Sequence, residues 1–235
     1  MTIRTSIAAT AIALAVTSIG ISAQAATLAG DFEVRVVNYT FNTNQSSSVA
    51  LANQSNFDAR FDNAVDGETR DTFTYSGELD FFVDNFPRDV DAESIADFFA
   101  SNTNGSVSGL DSVVGNLQLS APTFQTTTLF EFTEIYSNSF DTRVTHDDGF
   151  SIYNDNGSEL VSFANPTGIR TTPTTGVLNF EGGEFTLVYA AANGNPSKLL
   201  VEGDGIPAVP LPAPALMLMA GLGAFAGLRR KKQRS

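Results

Sequence analysis

Cysteine and tryptophan are absent, histidine occurs once, and cations are outnumbered by acids, 13 against 26. Each shortage excludes a class of chemistry. Without cysteine there is no disulfide scaffold, no thiol nucleophile and no thiolate metal site. A single histidine, His146, rules out a multi-histidine metal centre and the H-E-x-x-H metalloprotease pattern. An acidic balance repels phosphates, so no nucleic-acid partner is expected. No G-x-S-x-G elbow occurs either: Gly105-Ser106-Val107-Ser108-Gly109 has the wrong spacing. A dispersed Ser-His-Asp arrangement stays open, because its members need not be close in sequence. What the chain does have is aromatic: 19 Phe and 5 Tyr, set among Val, Thr and Ile that suit pleated sheets.

Both ends carry address-like patterns. Residues 1–25 hold one early cation, Arg4, then an apolar run from Ile7 to Ile21 and the small-x-small sequence Ala23-Gln24-Ala25. That order predicts a secretory signal peptide cut after Ala25 by way of the secretion translocon. The other end, residues 206–235, has prolines at 207, 210, 212 and 214, an uncharged stretch from Ala213 to Leu228, and a basic stop made of Arg229, Arg230, Lys231, Lys232 and Arg234. The prolines impose an extended spacer. The uncharged stretch would form a transmembrane helix of about 24 Å, a little short of the hydrocarbon core. The basic cluster holds the terminus on the cytoplasmic side.

Motif, span and basic cluster together resemble the PEP-CTERM class of bacterial sorting tails in its VPLPA variant, which Val209-Pro210-Leu211-Pro212-Ala213 matches letter for letter. The resemblance implies an exported protein, anchored in the inner membrane in transit. An exosortase-type membrane protease would then cut it near the motif and deliver it to the envelope, surface or extracellular matrix. An ordinary, uncut membrane anchor is the competing reading.

Between the two ends, residues 26–205 form one domain's worth of chain. Setting aside Arg4 and the five tail cations leaves 7 cations against all 26 acids, a balance of −19 that favours cations such as calcium. Strand patterns dominate. Phe32, Val34 and Val36 alternate, and Val37, Tyr39 and Phe41 alternate in the opposite phase, which predicts a bulge or a change of face. Phe57 and Phe61 suggest a weaker strand, and Phe73, Tyr75, Gly77, Leu79 and Phe81 share one parity in the clearest half-buried strand. Ile95, Phe98 and Phe99 fall at i, i+3 and i+4 after Asp91, predicting one short helix over 89–100. About eleven short strands and that helix point to an all-β fold, an antiparallel β-sandwich of jelly-roll type.

One stretch carries chemistry. Asp147-Asp148-Gly149 stands between two strand patterns, and a second turn, Asn154 to Gly157, follows directly. Asp-Gly and Asn-Gly pairs serve tight hairpins, and adjacent carboxylates repel unless a cation or donors lie between them. This segment, Thr145 to Tyr153, together with Phe185 to Tyr189 before Asn193-Gly194-Asn195, resembles part of a PA14-type β-sandwich. In lectin-like members of that family the two acids of the turn hold calcium, which holds sugar hydroxyls. The resemblance thus implies calcium at Asp147 and Asp148 only, and an extracellular polysaccharide as partner. Apart from the resemblance, calcium needs more oxygen ligands than this stretch supplies, and Asn193 and Asn195 could converge on it from a neighbouring loop. The competing reading is two turn-forming acids with solvated side chains.

Three functions follow from these residues. The first is a surface or matrix protein that binds carbohydrate with calcium. The second is a structural or self-associating envelope protein with no small-ligand site. The third is a hydrolase of unknown class, although His146 beside two acids reads as a strand-end residue and not as a base.

Overall fold

The longest strand explains the architecture. In β2 (Ala29–Thr40) the residues Phe32, Val34 and Val36 point one way and Val37 and Tyr39 the other, and all five are buried. Pairing with β3 (Glu68–Glu78) on one side and β6 (Thr126–Tyr136) on the other runs in unbroken antiparallel register. The phase change in the sequence therefore marks no bulge. It marks a strand covered on both faces, which periodicity alone cannot separate from a register change. The computed structural model describes residues 26–63, 68–84, 93–171 and 178–204. The signal peptide, the sorting tail and Asp91 lie outside them.

Around β2 runs the larger sheet, in the order β5 (Ser106–Ser108), β3, β2, β6, β12 (Gly183–Ala191), β8 (Phe150–Tyr153), β9 (Glu159–Phe163). The smaller sheet has β1 (Ala26–Thr27), β13 (Ser197–Asp204), β7 (Phe140–Asp147) and β10 (Arg170–Thr171), with β11 (Leu178–Phe180) also on β7 and β4 (Asp80–Val83) also on β13. All the pairings are antiparallel. The two sheets stack as a β-sandwich, as the sequence leads one to expect. Between them lie Phe32, Phe130, Phe132, Leu187 and Tyr189 from one sheet and Phe81, Val144, Leu199 and Val201 from the other. Full burial of each such side chain stabilises the fold by roughly 1.5–3 kcal/mol.

Three short helices are present among the described residues where one was expected. Helix α2 (Ile95–Ala100) is the expected one. Ser94, not Asp91, caps it in a reciprocal capping box with Asp97, and Phe98 and Phe99 enter the core. Phe57 and Phe61 form no strand: they lie one turn apart on α1 (Gln54–Phe61), whose cap Asn53 accepts from Asn56 N–H at 2.9 Å. That helix covers the outer face of the larger sheet and makes a second core with Val37, Tyr39, Leu129 and Val188. Arg35 lies 5.1 Å over Phe57 and 4.8 Å over Phe61, and its guanidinium holds Glu131 through contacts of 2.6 and 2.9 Å. A third helix, α3 (Ser112–Gly115), follows β5.

The same-parity run from Phe73 to Phe81 proves to be two strands. β3 belongs to the larger sheet and β4 to the smaller, and the chain crosses between them at Leu79, whose N–H donates to Leu28 O at 2.8 Å. Parity is preserved because the chain folds over the same core that both strands face.

Candidate functional site

Several crossings between the sheets gather at one end of the sandwich. β7 in the smaller sheet continues into β8 in the larger through Asp148 and Gly149. β12 passes back to β13 through residues 192–196, and β9 passes to β10 through residues 164–169. Asp147-Asp148-Gly149 is consequently no hairpin turn, because the strands it joins are in different sheets. The crossing is zipped to the end of β12: Asp148 N–H donates to Ala190 O at 3.1 Å, and Ala190 N–H donates to Gly149 O at 3.0 Å. Gly149 is required for a steric reason, since a Cβ there would stand 2.4 Å from the Ala164 carbonyl oxygen. The peptide bonds Asp147–Asp148 and Asn195–Pro196 are both cis.

The two acids are not solvated. Asp147 is 5 % exposed and Asp148 2 %, which removes the reading of them as surface turn residues. Asp148 Oδ2 accepts from Ala192 N–H at 2.7 Å. Burial, with Asp147 alongside, pushes the Asp148 carboxyl up to about 8, against the pull of the Ala192 and Thr167 amides. Tyr189, stacked on Phe98 at 5.7 Å in the core, donates its hydroxyl to the Asp147 carbonyl oxygen. Burial, then the two acids, holds that phenol well above its ordinary range, so it remains a donor. His146 is buried, and its Nδ1 meets the Asp148 carbonyl oxygen. A carbonyl only accepts, so Nδ1 carries the proton in that bond. The ring also lies against Phe150, 4.7 Å away. His146 thus braces the crossing from inside the fold.

Above the acids is a depression of ≈ 450 Å³, walled by Phe124, Thr167, Ile169, Asn193, Gly194, Asn195 and two prolines, with Asp147 and Asp148 in its lining. Asn193 and Asn195 therefore do share the acids' pocket. Asn193 is in the left-handed region at φ 60 and its Oδ1 accepts from Thr123 N–H at 3.1 Å, which ties the β12–β13 loop to the short 3-10 turn Pro122–Phe124 ahead of β6. Asn195 makes no side-chain hydrogen bond among the described residues.

No family model matches the chain, and no curated protein matches it. Among solved structures, it is similar to a PA14 sugar-binding domain from an RTX adhesin, with 14 % identity and a TM-score of 0.44, covering 74 % of this chain and 90 % of that one. It is similar also to the PA14 domain of the antifreeze protein MpAFP, with 15 % identity and a TM-score of 0.40, covering 72 % and 79 %. Both are described as PA14 domains.

The donor set decides which metal the pocket suits. Among the described residues no three His, Cys, Asp or Glu side chains come together, which disfavours zinc and copper, whose sites are built from imidazole and thiolate. Two carboxylates with amide oxygens and loop carbonyls nearby are hard oxygen donors, the kind that calcium takes six to eight of. Such donors would suit calcium, with Asp147 and Asp148 as the charged ones. Two protein carboxylates leave several positions for other oxygens. The sequence could not reveal Phe124 and the 166–169 segment as walls of this pocket. Neither is near Asp147 along the chain, and no motif marks them.

Proposed function

We propose that this chain is an exported, exosortase-sorted surface or extracellular-matrix protein whose β-sandwich binds carbohydrate, with calcium held by Asp147 and Asp148. The observation that supports it best is a pair of adjacent carboxylates, both almost wholly buried, facing a depression walled by amides and loop backbone. Burying one carboxylate next to another is costly unless a proton or a cation compensates. A divalent cation does so for both at once. Bound calcium supplies an electrophilic centre that vicinal hydroxyls can chelate, and Asp147 and Asp148 would anchor it. Binding suits this site better than catalysis. The one histidine is sealed under the acids, and the acids are adjacent in the chain instead of facing each other across a substrate.

The test is thermal unfolding of the full-length chain with chelator or with calcium. Calcium raises Tm in the wild type, and the double variant Asp147→Asn, Asp148→Asn loses that gain. A glycan array should then show binding that needs calcium. A wild-type protein whose Tm ignores calcium removes the metal from this reading. A blank array in both conditions, with assembly that grows with concentration, supports a self-associating envelope protein instead.

A further inference from the structure

Phenylalanine is the packing material of this fold, and among the described residues Phe124 stands apart from that use. Phe124 joins neither hydrophobic core and, among the described residues, contacts no other aromatic ring and no cation. Among the described residues the other phenylalanines outside the cores, Phe82 and Phe163, each have such a partner: Lys198 at 5.4 Å from the Phe82 ring, and Phe150 at 5.7 Å from Phe163. Phe124 instead lines the same depression as Asp147 and Asp148, half-buried.

Its position is also held against local preference. Thr123 and Phe124 both have φ of 56, and for a β-branched threonine that is a costly conformation. Contacts on two sides maintain it. Thr123 N–H donates to Asn193 Oδ1 at 3.1 Å, its hydroxyl donates to Asn44 Oδ1 at 2.9 Å, and its carbonyl accepts from Gln45 N–H at 3.0 Å. A Cβ at Gly194 would lie 3.4 Å from Pro122, so the turn and the β12–β13 loop are in close approach. The fold spends strain and several hydrogen bonds to keep an aromatic ring on a pocket wall where it packs against no other ring.

We infer that Phe124 is a specificity-determining platform, receiving the apolar C–H face of a pyranose ring whose hydroxyls reach the acid end of the pocket. This rests on the carbohydrate reading of the same site and adds to it the shape of the ligand: a closed ring with one apolar face. Half-exposed Ile169 on the same pocket extends that apolar surface. An open-chain polyol offers the same vicinal hydroxyls but no such face, so Phe124 should discriminate between the two.

The experiment titrates methyl pyranosides of glucose, mannose, galactose and fucose, and the linear alditol sorbitol, into the full-length chain in calcium. Affinity and ligand proton shifts are followed by NMR. Wild type should prefer at least one pyranoside over sorbitol, with ring C–H resonances moved upfield by the aromatic current. Phe124→Ala should weaken that pyranoside roughly ten-fold, the scale of one aromatic contact, abolish the upfield shift and leave the calcium gain in Tm intact. Phe124→Tyr should restore both affinity and shift. Pyranoside binding by Phe124→Ala equal to wild type overturns the platform alone and leaves the carbohydrate reading standing. Loss of the calcium gain in Phe124→Ala also overturns it, because the ring would then be a support for the acids. A wild type that answers to calcium but binds no pyranoside overturns the carbohydrate reading and the platform with it.

Discussion

Asp148 holds a carboxyl where water cannot solvate its charge, and its titration follows from that. The folded protein raises the group from its ordinary 3.8 to about 8, so between these values the folded state keeps a proton that the unfolded state has lost. Stability then falls as pH rises through that window. In chelator, urea unfolding should give free energies that decline from about pH 4 to about pH 8 and level off above. Asp148→Asn should flatten most of that slope, since an amide of the same shape can still accept from Ala192 N–H and carries no charge. A slope that persists unchanged in the variant would assign it to another group. With calcium bound, the deprotonated form is the one stabilised, and apparent calcium affinity should rise with pH over the same range.

At the scale of elements, helix α1 shows how packing overrides a weak local pattern. Two phenylalanines four residues apart fit a helix face as well as a poor strand, and Asn53 three residues before Asn56 is an ordinary cap. What makes the helix worth forming is the outer face of β2, β6 and β12, where Val37, Tyr39, Leu129 and Val188 need cover. No window around Phe57 contains those residues. Removing the cap by Asn53→Ala should cost about 1 kcal/mol in global stability, measured by denaturant midpoint, and should leave the calcium response unchanged because α1 packs on the outer face of the sheet, away from the acids. Just after α3, the apolar–polar alternation at Leu117–Leu119 builds no ladder: only an isolated bridge from Gln118 to Ser94 forms.

For the molecule as a whole, the sorting signals proposed at its two ends make predictions of their own. If the tail acts as proposed, protein recovered from outside the cell should end near Val209–Ala213 by mass spectrometry and lack Arg229 to Arg234. Deleting that basic cluster should leave the protein undelivered. Surface protein that still carries its cationic terminus would make the tail a plain anchor. Composition, periodicity and turn residues were enough to indicate an antiparallel β-sandwich, many of its strands and the short helix carrying Ile95, Phe98 and Phe99, and they singled out Asp147 and Asp148 as the stretch to inspect. These are signals written within a few neighbouring residues. Tertiary structure alone decided that the Asp-Asp-Gly stretch crosses between sheets, that its acids are buried, and that Phe124 stands beside them. Residues 124, 148, 169 and 195 meet only once two sheets have stacked, and proximity across a core leaves no trace in the spacing of residues along a chain.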